Sequence, residues 1–110
     1  MGASEGPLEA VAVTLPVVLR ADAASDVYLA RDWYERQRVG LGSEFVTAVD
    51  ELLSQIGIAP LMFSTALREV RRAKLRRFPY ITYYRVLDDR VEVLGVLHAS
   101  RDPRIWQQRT

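Results

Sequence analysis

The chain contains no cysteine, one histidine and, among fifteen basic residues, a single lysine, Lys74. Without thiols there is no disulfide and no thiolate metal centre, and a reducing cytoplasm is a compatible environment. With one imidazole, a metal site would consist almost wholly of carboxylates, and no Asp or Glu cluster has the spacing for one. No apolar run reaches the roughly 18 residues of a membrane span. The segment 8–19 is apolar in places, yet it lacks a positive leader, and Glu5, Glu9 and Pro16 interrupt it. Neither a signal peptide nor membrane association is therefore expected. The expected location is the cytoplasm, with no metal and no cofactor.

Apolar residues make up 49% of the 110-residue chain, enough for one core in a single domain. Net charge is only +1, but its distribution is uneven. Residues 1–55 hold four basic and nine acidic residues, a balance of −5, whereas residues 56–110 hold eleven basic and five acidic, a balance of +6. A split of this size steers polyanions toward one end of a domain. Arginine dominates, and its planar fork suits phosphate or carboxylate. A GC-rich genome would also favour arginine over lysine, but would not cluster it.

Residues 1–16 read as a poorly ordered tail, since Gly2, Gly6, Pro7 and Pro16 break any period, and one domain is expected over 17–109. Val17 to Arg20 suits a short strand. Val27, Ala30 and Tyr34 share a helical face within 22–39, with Asp22 or Asp26 early, Arg36 and Arg38 late, and Gly40 as the stop. A second helix fits 43–57, with Ser43 as N-cap and Phe45, Val49, Leu52, Leu53 and Ile56 as its apolar stripe. Gly40-Leu41-Gly42 then links an antiparallel helix hairpin. Residues 60–66 read as loop, Leu67 to Arg72 as a strand, and Lys74 to Arg77 as its continuation or partner. Tyr80 to Leu87 and Val91 to His98 form a hairpin across Asp88-Asp89-Arg90. A last helical turn fits Pro103 to Gln108, with Pro103 at its first position. The expected fold class is α+β, a helix hairpin on one face of a small, mostly antiparallel sheet.

Several short motifs recur in a fixed order. They are Trp33-Tyr34-Glu35, Gly40-Leu41-Gly42 with Phe45, Pro60 and Phe63, Arg71-Arg72, Phe78-Pro79-Tyr80 with Tyr84, His98, Arg101-Asp102-Pro103, then Trp106 and Arg109. Together they resemble the RelE/ParE superfamily of bacterial toxins, and the ParE-like branch in particular, over about residues 17–109. The resemblance implies the toxin of a type II toxin–antitoxin module, of the kind associated with plasmid stabilization and growth inhibition. It implies inhibition of DNA gyrase and no hydrolytic site. The implied partner is a cognate antitoxin, DNA-binding and of ribbon-helix-helix type, held in a hetero-oligomer.

On that reading Arg71, Arg72, Arg85, His98, Arg101 and Arg104 are candidates to meet the target. Trp33, Tyr34, Arg68, Arg76, Tyr80 and Tyr84 are candidates to meet the antitoxin. The alternative is a RelE-like, metal-independent messenger endoribonuclease, with His98 as acid or base and Arg71, Arg72 and Arg85 as phosphate-binding cations. Three departures weigh against it: the single lysine, Ala99 rather than an aromatic residue after His98, and the lack of a placed carboxylate base. Glu69 serves poorly because strand alternation would turn it from some of the arginines. A non-toxic nucleic-acid-binding domain is the third reading. Each candidate also has a purely structural reading. His98 suits a packed strand end, the three tyrosines of 80–84 suit a sheet interior, the Arg68–Arg77 cluster suits a charged edge that resists aggregation, and Asp102 pairs with Arg101, Arg104 or Arg109.

Overall fold

The computed structural model describes residues 14–110. Most of the tail expectation therefore falls on residues 1–13, outside the described residues. Leu15 and Pro16 are tied to the body rather than loose: the Leu15 amide donates to the Gly57 carbonyl at 3.0 Å, and Pro16 accepts from the Val91 amide at 2.8 Å.

The described chain runs β1 (Val17–Leu19), α1 (Ala21–Gln37), α2 (Leu41–Ile58), β2 (Thr65–Leu67), β3 (Val70–Lys74), β4 (Tyr80–Val86), β5 (Val91–His98) and α3 (Arg104–Gln107). Five strands form one sheet in the order β1-β5-β4-β3-β2. β1 lies parallel to β5 and every other pairing is antiparallel. The two long helices cover one face, as expected.

Apolar spacing explains the helix hairpin. Ala23 and Ala30 of α1 are buried, and their small side chains let that helix approach the sheet closely. Phe45, Val49, Leu52 and Ile56 of α2 form a stripe at 3.6-residue spacing buried against the same core. The link is shorter than expected, because Leu41 and Gly42 are already helical and Gly40 turns the chain at φ 90°. Ser43 is not the N-cap. The Glu35 carboxylate of α1 reaches across instead and accepts the Gly40 and Gly42 amides at 3.0 and 2.9 Å. One helix thus supplies the cap of the next.

Two boundaries in the basic stretch also differ. The chain reverses at Arg68-Glu69, so β2 and β3 form a hairpin where one strand over Leu67–Arg72 was expected. Arg68 takes φ 53° there, a left-handed turn position that ordinarily advertises itself through glycine or asparagine. Strand β3 ends at Lys74, and Leu75 to Pro79 form a loop anchored by buried Leu75 and Phe78. Arg76 and Arg77 therefore lie in that loop. Pro103 sits one residue before α3 rather than inside it.

The second sheet face is not bare. Val70, Ile81, Tyr83, Leu94 and Leu97 gather under Trp106 of α3, and Tyr83 stacks on Trp106 with centroids 4.8 Å apart. Strand β5 serves both faces through a bulge. Tyr83 faces Gly95 while Tyr84 faces Val93, which leaves Leu94 as the extra residue. The bulge and the end of β1 leave backbone groups at that edge without strand partners. Arg109 donates to the Leu94 carbonyl at 3.0 Å, and the Val96 amide donates to Asp26 at 3.0 Å. Arg109 and Asp26 pair with each other at 2.7 Å. A Cβ at residue 95 would lie 2.8 Å from the Arg109 guanidinium, so glycine is what admits this clasp.

Candidate functional site

A groove of about 520 Å³ opens between α1 and the meeting point of β4 and β5. Leu29 and Trp33 of α1 form one wall, at 68% and 50% exposure. Pro79 precedes β4 and Tyr80 opens it on the other side, while Val96 and His98 lie near the end of β5, and Arg101 follows in the turn. Beneath lies an aromatic cluster. Tyr34 packs on Phe45 at 5.3 Å and on Phe78 at 4.9 Å, and Phe45 packs on Tyr80 at 5.1 Å. Edge and offset contacts of this kind hold the floor rigid.

Burial raises the Tyr34 phenol above its ordinary range, and the neighbouring Tyr80 adds to the shift. Burial also raises Tyr80, partly offset by the Arg101 charge beside it. Both remain neutral hydroxyls near pH 7. His98 meets Tyr80 edge to face at 5.4 Å. Its Nδ1 accepts the Ser100 amide at 3.0 Å and lies 2.8 Å from the Ser100 hydroxyl. The amide can only donate, so Nδ1 is the acceptor and Nε2 carries the proton of the neutral ring. The Arg101 amide closes the turn onto the His98 carbonyl at 2.9 Å.

The expected site residues divide into separate places. Trp33, Tyr34, Tyr80, His98 and Arg101 line the groove together. Arg71 does not join them. It donates to the Leu61 and Phe63 carbonyls at 3.3 and 2.7 Å and holds the loop after α2. Tyr84 is fully buried, and its hydroxyl donates to the Pro60 carbonyl of that loop at 2.5 Å. Arg85 lies 2.8 Å from Glu92 and 3.8 Å from Glu69. Glu69 thus sits in a turn beside Arg85, not on a strand alternating away from it. Arg72 is exposed on the α3 side of the sheet, opposite Tyr83. Arg68 marks the β2–β3 turn, and Arg76 lies beside Ser43 and Thr47 of α2. Arg104 pairs with Asp102 at 2.6 Å, so Asp102 chooses Arg104 among the three arginines considered.

Register separates the candidate ribonuclease set. His98 faces Tyr80, whereas Arg85 faces Glu92 at the other end of the same hairpin. Five strand residues span about 17 Å. His98 lies on the helix-covered side with Tyr80, while Arg72 and Arg85 project from the α3 side. Arg71 shares His98's side but stands opposite Tyr84, a strand beyond and about 13 Å along. Among the described residues no carboxylate is hydrogen-bonded to His98, and Asp26 of the same groove is held by Arg109. Among the described residues no cluster of His, Asp and Glu gathers for a metal, and no helix is long and apolar enough to cross a membrane.

Sequence reading missed Leu29 as a wall of the groove and the clasp of Asp26 with Arg109. The signal for Leu29 was its i,i+4 spacing with Trp33, off the Val27–Ala30–Tyr34 face. The clasp joins residues 83 apart and left no local signal.

No curated protein matches the chain in sequence. A chain of the solved chromosomal ParDE TA system from P. aeruginosa is similar in structure, with a TM-score of 0.61 at 18% identity, covering 79% of this chain and 98% of that one. Residues 17–103 match the family described as ParE toxin of type II toxin-antitoxin system, parDE. The match runs from β1 through the turn that carries Arg101, taking in the helix hairpin, the whole sheet and the groove, and the chain belongs to the ParE toxin family.

Proposed function

We propose that this type II toxin acts in the cytoplasm by inhibiting DNA gyrase without cutting nucleic acid, and that an antitoxin seated in the α1–β5 groove neutralises it. The observation that carries the non-hydrolytic reading is the separation of His98 from Arg71, Arg72 and Arg85. A phosphorane needs its acid, base and cations within a few ångströms of one another. Here two of the three cations project from the other face, and Arg85 is already neutralised by Glu92.

The groove suits a protein partner. It joins exposed apolar walls to a rigid aromatic floor and carries an arginine at its mouth. The partner is a DNA-binding antitoxin of ribbon-helix-helix type, encoded by the adjacent reading frame. Exposed Arg72, beside Lys74 on β3, is the cation assigned to gyrase on this reading, whereas Arg104 is paired with Asp102 at 2.6 Å. Arg71 and Arg85 act on the fold instead.

Purified toxin should slow gyrase supercoiling of relaxed plasmid, and the adjacent reading frame's product should restore it. Full supercoiling at a large molar excess of toxin overturns the gyrase reading. His98→Ala should leave growth arrest intact; loss of arrest together with loss of message cleavage would establish the ribonuclease instead.

A further inference from the structure

On the side of the sheet away from β1 and β5, strand β2 covers β3 only in part. Thr65 and Leu67 pair with Arg71 and Val70. One more bond follows, from the Arg72 amide to the Ser64 carbonyl at 2.9 Å. Strand β3 then continues to Lys74 with no strand on that side. Backbone groups of a paired strand turn to the same neighbour at every second residue. The Leu75 amide donates inward, to the Tyr80 carbonyl at 2.9 Å, so the amide and carbonyl of Lys74 point outward. Among the described residues neither meets another backbone group.

This open edge borders a groove of about 370 Å³, walled by Met62 and Phe63 on one side and by Arg72 and Lys74 on the other. Met62 is exposed, as is Leu61 before it. Arg72 and Lys74 are exposed too, and stand on the same side of β3, opposite Tyr83 and Ile81. Two residues along a strand separate them by about 7 Å. Neither makes an ion pair among the described residues.

We propose that the toxin engages its target by strand addition here: an extended acidic segment of gyrase pairs with the Lys74 amide and carbonyl and sets carboxylates against Arg72 and Lys74. This deepens the proposed function and rests on its gyrase reading. The charge selects among the partners that an open edge could take. A second copy of this chain would bring the same two cations face to face, which disfavours self-association. A nucleic-acid phosphate would meet the cations but offers no donor to the Lys74 carbonyl. A helix has no backbone groups to spare for either Lys74 atom. An acidic strand satisfies the backbone and the charge together. Alternation along it places two carboxylates, one residue apart, on the Arg72–Lys74 side. The residue between them turns to the face where Ala73 is buried, and is small or apolar.

The test measures how much full-length toxin halves supercoiling of relaxed plasmid by purified gyrase. Lys74→Pro removes the outward amide at an edge position that accommodates proline, and should raise that concentration by about tenfold or more. Lys74→Gln keeps the amide and loses one exposed charge, and should raise it only about threefold. Lys74→Glu should raise it by about fivefold or more. Arg36→Glu makes the same change of net charge at an exposed position in the last turn of α1, and should leave inhibition unchanged. Equal potency of the Pro and Gln variants overturns strand addition. Equal losses from Lys74→Glu and Arg36→Glu overturn the local charge match. Should Lys74→Pro fail to fold, hydrogen exchange of wild-type toxin bound to gyrase decides. The Lys74 amide should slow by about tenfold or more on binding, and unchanged exchange overturns the added strand. Wild-type toxin without effect on supercoiling is a different failure, since it removes the gyrase reading itself and this inference with it.

Discussion

The two ends of the β4–β5 hairpin carry similar residue types and behave in opposite ways. At the Arg85 end, Glu92 lies 2.8 Å away and Glu69 3.8 Å, so the cation is spent within the domain. At the Tyr80 end, Arg101 has no carboxylate partner among the described residues, and the apolar walls of the groove are exposed. An arginine cluster in a sequence thus announces charge but not availability. Availability depends on the carboxylates that the fold brings alongside, and β pairing decides that.

The largest blow to this contrast would come from below the open end. Phe45→Ala removes the ring on which Tyr34, Phe78 and Tyr80 rest. It should cost about 3–5 kcal/mol in denaturant unfolding, the range for deleting a buried aromatic. A cost below about 1 kcal/mol would mean that the floor is not the anchor of the groove. Next in size is Asp26→Ala, which leaves the Val96 amide and the Arg109 guanidinium without their carboxylate. About 2 kcal/mol should be lost, since charge-assisted bonds in a part-buried site are being broken without replacement.

Alkali should sharpen the comparison. Burial raises Tyr34, Tyr80 and Tyr84 above the ordinary phenol value, so the folded chain holds these protons more firmly than the unfolded one. The stability tied to them is whole below about pH 10 and falls as pH climbs through the folded values. Tyr84→Phe should flatten that alkaline fall while losing about 1 kcal/mol at pH 7 with its bond to Pro60. A fall that begins near pH 8 would point to other groups. The smallest effect has the opposite sign. Among the described residues the fully buried Thr82 hydroxyl has no hydrogen-bond partner. Thr82→Val should raise stability by up to about 1 kcal/mol, and destabilisation beyond that would reveal a hidden partner.

What was legible in the sequence was whatever spoke locally. The stripe of Phe45, Val49, Leu52 and Ile56, the stop at Gly40, and the strands around Asp88-Asp89 each follow from short-range periodicity or turn chemistry. The groove was legible in part, because Trp33, Tyr34, Tyr80, His98 and Arg101 were singled out and do meet. Arg68, Arg76 and Tyr84 were assigned to the same partner but lie elsewhere. The reversal at Arg68 hid because an arginine, not a glycine, takes the positive φ. That hairpin divides the strand expected over Leu67–Arg72, and β3 then ends at Lys74, which leaves Arg76 and Arg77 in a loop. Burial of Tyr84 and capture of Arg71 by the 60–63 loop depend on carbonyls that pattern reading does not see. The second core under Trp106 escaped for a similar reason: Trp106 and Tyr83 are 23 positions apart and meet only once α3 folds back.

Assembly order follows from the parallel strand at the sheet's edge. The helix hairpin and the β2–β3 and β4–β5 hairpins join near neighbours, and such local units form early. Val17, by contrast, must find Val91, which lies 74 residues later. Closing so long a loop carries the largest entropic penalty of any pairing in the sheet. Docking of β1 is thus the closing event of folding, after the main barrier, and substitutions at Val17 or Leu19 should act mainly on the unfolding rate in stopped-flow measurements.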